Sequence, residues 1–284
     1  MSDVLKMRRA FDRGGKEEYY SSMNLYEAIY LRRSVREFRM EPISDDILRK
    51  VREFYLRIEP LFPGIETEIG ITENPEGNRV LKGFFGIMAP YYLSIYSEER
   101  DKAEMNAGFI MEQISLFMLT LGLGSCFLGG TSIKKMPKTR GNKSFVILMA
   151  FGLPKDRLTR RSAEARRLSV KDLCIFKNPP TRWMTEVIEA ARLAPSALNR
   201  QPWRFVVLGN RIHIFMKKYT IDRPRPLDEF NFGIMFSHIW IASEELWLDV
   251  DLIRLEDISQ KSFRTNQYVL SAVVKDDMDH TNLQ

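Results

Sequence analysis

The chain is poor in sulfur and in imidazole. Its 284 residues include two cysteines, Cys126 and Cys174, too far apart for a Cys-x-x-Cys pair, and three scattered histidines, His213, His238 and His280. That spacing supplies neither a disulfide framework nor a thiolate or histidine metal site. No stretch approaches the roughly 20 consecutive apolar residues that span a bilayer. Residues 1–20 are charged where a secretory leader carries an apolar segment. The expected location is the cytoplasm, with no membrane partner. A basic excess, +6 in formal charge, favours anionic ligands. The lysines and arginines crowd between Lys134 and Lys171, but without a helix-turn-helix, zinc-finger or aromatic-interleaved pattern, so no nucleic-acid partner is expected.

What the chain does have is apolar residues, 44% of the total, enough for a well-buried core and too many for disorder throughout. It also has an internal repeat. Glu104-Met105-Asn106-Ala107-Gly108-Phe109 and Glu229-Phe230-Asn231-Phe232-Gly233-Ile234 share Glu, Asn and Gly at identical spacing. Downstream, Ile114, Leu116, Leu121 and Leu123 fall opposite Ile239, Ile241, Leu246 and Leu248 at the same offset. Both segments read as long buried helices, apolar nearly all round. Each is followed by an apolar strand, Phe145 to Ala150 in the first half and Tyr268 to Val274 in the second. Upstream, the segments beginning Pro42-Ile43-Ser44 and Pro179-Pro180-Thr181 both look like capped helix starts. The repeat divides the chain into an N-terminal extension over 1–22, a first half over 23–173 and a second half over 174–284.

Three segments carry chemistry. In the first, Leu25, Ala28 and Ile29 form the apolar stripe of a short helix that Ser22 or Asn24 could cap. Arg32-Arg33-Ser34-Val35-Arg36 follows where that helix should end. Guanidiniums there can grip a phosphate, because their planar fork donates bidentate, charge-assisted bonds. The second, Gly122 to Gly130, closes the long helix of the first half with glycines able to adopt positive φ, so that main-chain N–H groups can approach a flat ligand. A glycine C-cap alone would account for Gly122 and Gly124, but not for Gly129 and Gly130. The third runs Pro195-Ser196-Ala197-Leu198-Asn199-Arg200-Gln201-Pro202-Trp203 after the apolar helix of Val187, Ile188 and Ala191. Its Trp203 suits an anchor for the strand that follows, and Gln201 a structural role.

Together these segments resemble the nitroreductase family of flavin mononucleotide enzymes, and the resemblance covers nearly the whole chain. It implies an α+β sandwich, two pseudo-symmetric halves fused in one chain. Ordinary members are homodimers with two interfacial flavins, so the chain resembles such a dimer joined into one polypeptide, a monomer acting as a pseudo-dimer. It assigns Arg32 and Ser34 to the FMN phosphate or ribityl chain, with Arg33 beside them and Arg36 more structural. Arg166 or Arg167, in a basic segment after the last strand of the first half, would complete the phosphate clamp. Phe127, Leu128, Gly129 and Gly130 are assigned to the isoalloxazine, with a main-chain N–H toward N5. Pro195, Ser196, Ala197 and Asn199 are assigned to the flavin from the other half.

Where half one has glycines, half two reads Leu246-Trp247-Leu248-Asp249-Val250-Asp251, and Pro60-Leu61-Phe62-Pro63 replaces the Pro-Ser segment. One complete flavin site and one degenerate one are therefore expected. The chain also departs from the family at Phe84-Phe85-Gly86, where many members have a basic residue, with Lys82 one turn away. Thr72–Gly77 and Asp222–Leu227 are short candidate lids. Cys126 reads as a buried structural thiol. The implied activity is ping-pong transfer of a hydride from NAD(P)H through flavin N5 to a small-molecule acceptor such as a nitroaromatic or quinone, with no catalytic side chain required. The alternative is a flavin-binding sensor or carrier without nicotinamide-driven turnover.

Overall fold

The structure, a computed structural model, describes residues 22–83, 86–218 and 227–275. It divides at Ala165/Arg166 into two compact units. The expected extension therefore lies, but for Ser22, outside the described residues, as does most of the candidate lid at Asp222–Leu227.

In unit one, α1 (Leu25–Leu31) begins at Asn24, whose Oδ1 accepts from Glu27 N at 2.8 Å while Glu27 accepts from Asn24 N at 3.1 Å. Of the two expected caps, Asn24 thus does the capping. The helix α2 (Asp45–Arg57) follows, with Ser44 at its N-cap as the sequence predicts. The sheet is antiparallel, in the order β1 (Thr67–Glu73), β3 (Tyr91–Glu98), β7 (Lys143–Gly152), β4 (Gly124–Leu128). The short β6 (Thr139–Arg140) pairs with β7, and β2 (Leu81–Gly83) with β5 (Thr131–Ile133) makes a separate ribbon. Against α1, α2, β3 and β4 packs α3 (Ala103–Thr120), buried from Met105 to Leu116. The tyrosines buried on β3 keep their hydroxyls bonded: Tyr91 accepts from Ile43 N, and Tyr96 donates to Pro137 O.

Unit two holds α4 (Val170–Leu173), β8 (Cys174–Phe176), α5 (Arg182–Leu193), β9 (Trp203–Leu208), β10 (Arg211–Lys217), α6 (Asp228–Glu245), β11 (Val250–Ile253), α7 (Glu256–Ser259) and β12 (Asn266–Val274). Its sheet runs β11-β12-β10-β9-β8, antiparallel except where β8 lies parallel to β9.

The repeat read from the sequence recurs in the backbone of each unit. Each unit has a pair of neighbouring sheet strands ahead of an 18-residue helix (β1 and β3; β9 and β10), then an edge strand (β4; β11) and a later strand that pairs beside that edge (β7; β12). The helices are entered through left-handed residues at matching positions, Lys102 (φ 68°, ψ 10°) and Leu227 (φ 70°, ψ 7°). They are left through matching 2.9 Å bonds, Leu123 N to Met118 O and Leu248 N to Ser243 O. The left-handed turn that Gly122 takes after α3, at φ 77°, is taken after α6 by Trp247, at φ 55°.

The division lies upstream of the expected boundary at 173/174. Residues 166–169 belong to unit two because their bonds go there: Gln201 Oε1 accepts from Leu168 N at 2.7 Å, and Arg192 donates to Leu168 O.

The β10–β12 pair of the unit-two sheet carries a buried polar chain. His213 Nδ1 lies 2.8 Å from Ser271 Oγ, which lies 2.7 Å from Tyr268 OH, which in turn accepts from Leu255 N. Burial disfavours the imidazolium and lowers the His213 pKa, with Arg211 adding to the effect. The unfolded chain thus takes up this proton first as the pH falls. The wild-type protein should lose stability as the pH drops below about 6.5, the ordinary imidazole value, and urea unfolding of His213→Gln should show a shallower acid slope than wild type.

Candidate functional site

The first and second sequence motifs meet in unit one. The chain leaving α1 runs beside β4: Ser34 bridges Ser125, and Val35 N donates to Ser125 O at 3.0 Å. The approach is close because residue 124 is glycine; a β-carbon there would lie 2.5 Å from the Val35 side chain. The expected glycine turn is therefore mostly a strand, with left-handed glycines at its flanks, Gly122 (φ 77°) and Gly130 (φ 68°). Ser34, Arg33 and the Phe127 ring are half-buried, Arg36 and Gly130 are exposed, and the Leu128 side chain is buried. Burial pushes the Cys126 thiol up, against the opposing pull of Arg36, Arg32 and the Ser34 hydroxyl, in keeping with a structural thiol.

In unit two the third motif is a braced loop. Asn231, on α6, accepts from Ala197 N at 2.9 Å, and Ser196 Oγ accepts from Gln201 N at 3.0 Å. The Asn199 amide is used on both sides: Nδ2 donates to Arg166 O at 2.7 Å and Oδ1 accepts from Arg167 Nη1 at 2.8 Å. The Arg167 guanidinium also donates to Leu193 O and Ala194 O, the carbonyls left open at the end of α5. Within this frame Leu198, Asn199 and Gln201 all hold positive φ, 53°, 55° and 49°. A left-handed backbone costs roughly 1–2 kcal/mol for each ordinary residue, so the frame has strain to offset. The corresponding loop of unit one is held in the same way: Asn106 Oδ1 accepts from Phe62 N at 2.9 Å and Nδ2 donates to Ile65 O. There Leu61 and Gly64 stand where unit two has Ser196 and Asn199.

Residues 24–243 match the family described as "Putative TM nitroreductase". The protein belongs to the nitroreductase family. No curated protein matches the chain. Among solved structures, a nitroreductase, so described with the qualifier "putative", from Thermotoga maritima superposes with a TM-score of 0.58 at 22% identity, covering 89% of this chain and 94% of that one. A nitroreductase family protein from Clostridium novyi NT gives 0.41 at 20% identity, over 47% of this chain and 88% of its own. An FMN-dependent nitroreductase from Clostridium difficile gives 0.39 at 16% identity, over 51% of this chain and 98% of its own.

Against the expectations for a nitroreductase, two arginines stand differently. Arg32 turns toward the core. It is 4% exposed, its Nε lies 3.2 Å from the fully buried Glu112 carboxylate and donates to Ser115 Oγ at 3.1 Å, and its guanidinium sits 5.7 Å from the centre of the Phe127 ring. Ser115 Oγ in turn lies 2.8 Å from Ser125 Oγ on β4. Arg167 has its fork committed to main-chain carbonyls and Asn199, so of the open pair Arg166 and Arg167 the latter is the one that clasps the loop. Asn199, expected to bond the flavin, spends its amide on the same clasp. Lys82 is exposed on β2, opposite Ser132.

The sequence reading missed Glu112. Its signal was a single carboxylate inside the apolar stretch Phe109 to Leu116, where a charge survives only if paired. Removing one member of a buried pair strands the other, so Glu112→Ala should cost about 3–5 kcal/mol of unfolding free energy. The double variant Arg32→Met/Glu112→Leu should recover most of that loss in urea titrations, since it leaves no unpaired charge.

Proposed function

We propose that this chain is a flavin-dependent oxidoreductase that binds FMN, accepts a hydride from NAD(P)H and delivers electrons to a small oxidised acceptor such as a quinone or nitroaromatic. The observation that carries the reading is the Arg32–Arg36 segment docked along a glycine-flanked strand in a member of the nitroreductase family. The names of two neighbours, an FMN-dependent nitroreductase from Clostridium difficile and an NADH oxidase from Clostridium acetobutylicum, support the cofactor and the donor by analogy.

The residues present fit such a group. Ser34 and Arg33 are half-buried and Arg36 is exposed beside the β4 main chain, which suits an anionic phosphate. Behind them Arg32 carries a buried amino group, Nη2, with no hydrogen-bond partner among the described residues. Phe127 offers a half-buried ring, and Gly129 and Gly130 add no side chains beside it. In unit two, Pro195, Ser196 and Ala197 are the proposed contacts, and Arg166, Arg167 and Asn199 brace them from behind. FMN, when bound, supplies the hydride chemistry at N5; the protein binds it, orients it and shapes the acceptor's approach. No side-chain acid or base is assigned.

The repeated strand order of the two units further supports a chain that arose by joining two nitroreductase-like units and acts as a pseudo-dimer. Because unit one replaces Ser196 and Asn199 with Leu61 and Gly64, a single FMN per chain is proposed. Calorimetric titration of the apoprotein with FMN should give a stoichiometry near one, and the loaded protein should lose its yellow absorbance under anaerobic NADH or NADPH. A stoichiometry near two would sink the single-site reading. A protein that binds FMN yet is reduced by neither nicotinamide would be a flavin carrier or sensor. Asn199→Ala should weaken FMN binding by about 1–3 kcal/mol, with the loss arising from the loosened loop and accompanied by a lower thermal midpoint.

A further inference from the structure

Side chains along β9 alternate between the two faces of the unit-two sheet. Trp203 meets Phe232 of α6 edge-on, with ring centres 6.3 Å apart, so Arg204 and Val206 point to the face away from that helix. The strand register carries this face across the sheet: Phe215 is paired with Arg204, Tyr268 with Phe215, and Ile175 with Val206. Phe215, Tyr268 and Ile258 form a small apolar cluster there, with Leu255, Phe263 and Val206 packed on it. Toward β8 the cover thins, leaving Val206 half-buried and Ile175 58% exposed. A cavity of about 270 Å³ opens at this place, lined by Ile175, Val206, Phe215 and Phe263 together with Lys171, Arg204, Asp172 and Asn266. The lining belongs wholly to unit two and includes none of the residues proposed for FMN.

The apolar wall has cations at its edge. Arg204 is held by Nη1 bonds to Gln201 O and Trp203 O, Lys171 is exposed on α4, and Lys218 Nζ donates to Phe263 O at 2.7 Å. The single carboxylate of the lining, Asp172, accepts from Ser169 N and Oγ. We infer that the cavity is a binding site for a small aromatic monocarboxylate, with its ring against Ile175, Val206 and the Phe215–Phe263 pair and its carboxylate toward Lys171 and Arg204. Three features select that class. The volume lies below the roughly 300–1,000 Å³ usual for drug-sized ligands, which admits one or two fused rings and excludes a nucleotide. Phe215 and Phe263 already pack edge-to-face, 4.9 Å between centres, and a flat ring extends such packing while leaving water. A guanidinium fixed by its neighbours suits the planar fork of a carboxylate.

Calorimetric titration of the purified full chain with 1-naphthoate tests this, beside the neutral 1-naphthalenemethanol and in the variants Ile175→Glu and Lys171→Glu, with thermal midpoints recorded. Wild type should bind the acid about tenfold more tightly than the alcohol. Ile175→Glu places a like charge on the apolar wall and should weaken naphthoate about tenfold or more. Lys171→Glu should weaken it about three- to fivefold, with the difference shrinking at high salt. Both positions are exposed, so the midpoints should hold; if Ile175→Glu fails to fold, Lys171→Glu alone decides. No binding by wild type, equal affinity for acid and alcohol, or unchanged naphthoate affinity in the folded variants would each overturn the inference. Repeating the wild-type titration with saturating FMN separates the two readings. Naphthoate affinity should be the same with and without FMN, and a carboxylate that FMN displaces would sit in the flavin site and overturn the inference. A chain that binds no FMN but binds naphthoate in the Ile175-dependent manner would lose the flavin reading and keep this one.

Discussion

A helix buried on all sides leaves its polar side chains no water, and most of the site follows from that constraint. The two 18-residue helices α3 and α6 are apolar nearly throughout, so most polar residues on them bond inside the protein, with Gln113 Nε2, Asn231 Nδ2 and Ser237 Oγ left without a hydrogen-bond partner among the described residues. Asn106 takes the main chain at Phe62 and Ile65, and Asn231 takes Ala197. Glu112 takes Arg32, Ser115 takes Arg32 and Ser125, and the His238 ring bonds Ala190 O at 2.8 Å. These bonds tie the loops to the helices. The loops before and after the helices are therefore held in place from the helix side.

The loop at 195–201 shows how this works at close range. Three left-handed residues would be costly in isolation, yet Ser196, Gln201, Asn199, Arg167 and Asn231 cross-link the loop to residues 166–168, to the end of α5 and to α6. The motif that looks like a row of ligand contacts is largely a row of mutual braces. What it leaves exposed is Leu198 and Asn199, with Ser196 and Ala197 half-buried. In unit one the same asparagine hinge survives while the loop it holds has become Leu61-Phe62-Pro63-Gly64.

Much of this was legible in the sequence. The shared Glu-x-Asn-x-Gly marked the start of both long helices, and the strands after them fall where β-branched and aromatic runs predict. Asn24, Ser44 and Thr181 stand at helix starts, where short polar residues are favoured, and the Asn24 side chain accepts from Glu27 N. The docking of the Arg-Arg-Ser segment along β4 was not legible in the sequence, because it rests on Ser34 and Val35 meeting Ser125 far along the chain. The glycine stretch itself, read as a turn, became a strand once β7 offered it a ladder.

The sequence by itself determined the elements, their order and their repetition, because helix caps, periodicity and strand propensity act over a few residues and are written in consecutive letters. Only the tertiary structure decided which arginine faces which partner. Arg32 turns inward because Glu112, 80 positions along the chain, is buried beside it and needs a counter-charge. Arg167 turns to the α5 terminus because its open carbonyls lie within reach of five fixed donors. A guanidinium reads alike in both settings. Its role is set by which unsatisfied group the fold brings near it, and that is a property of long-range packing that no local pattern encodes.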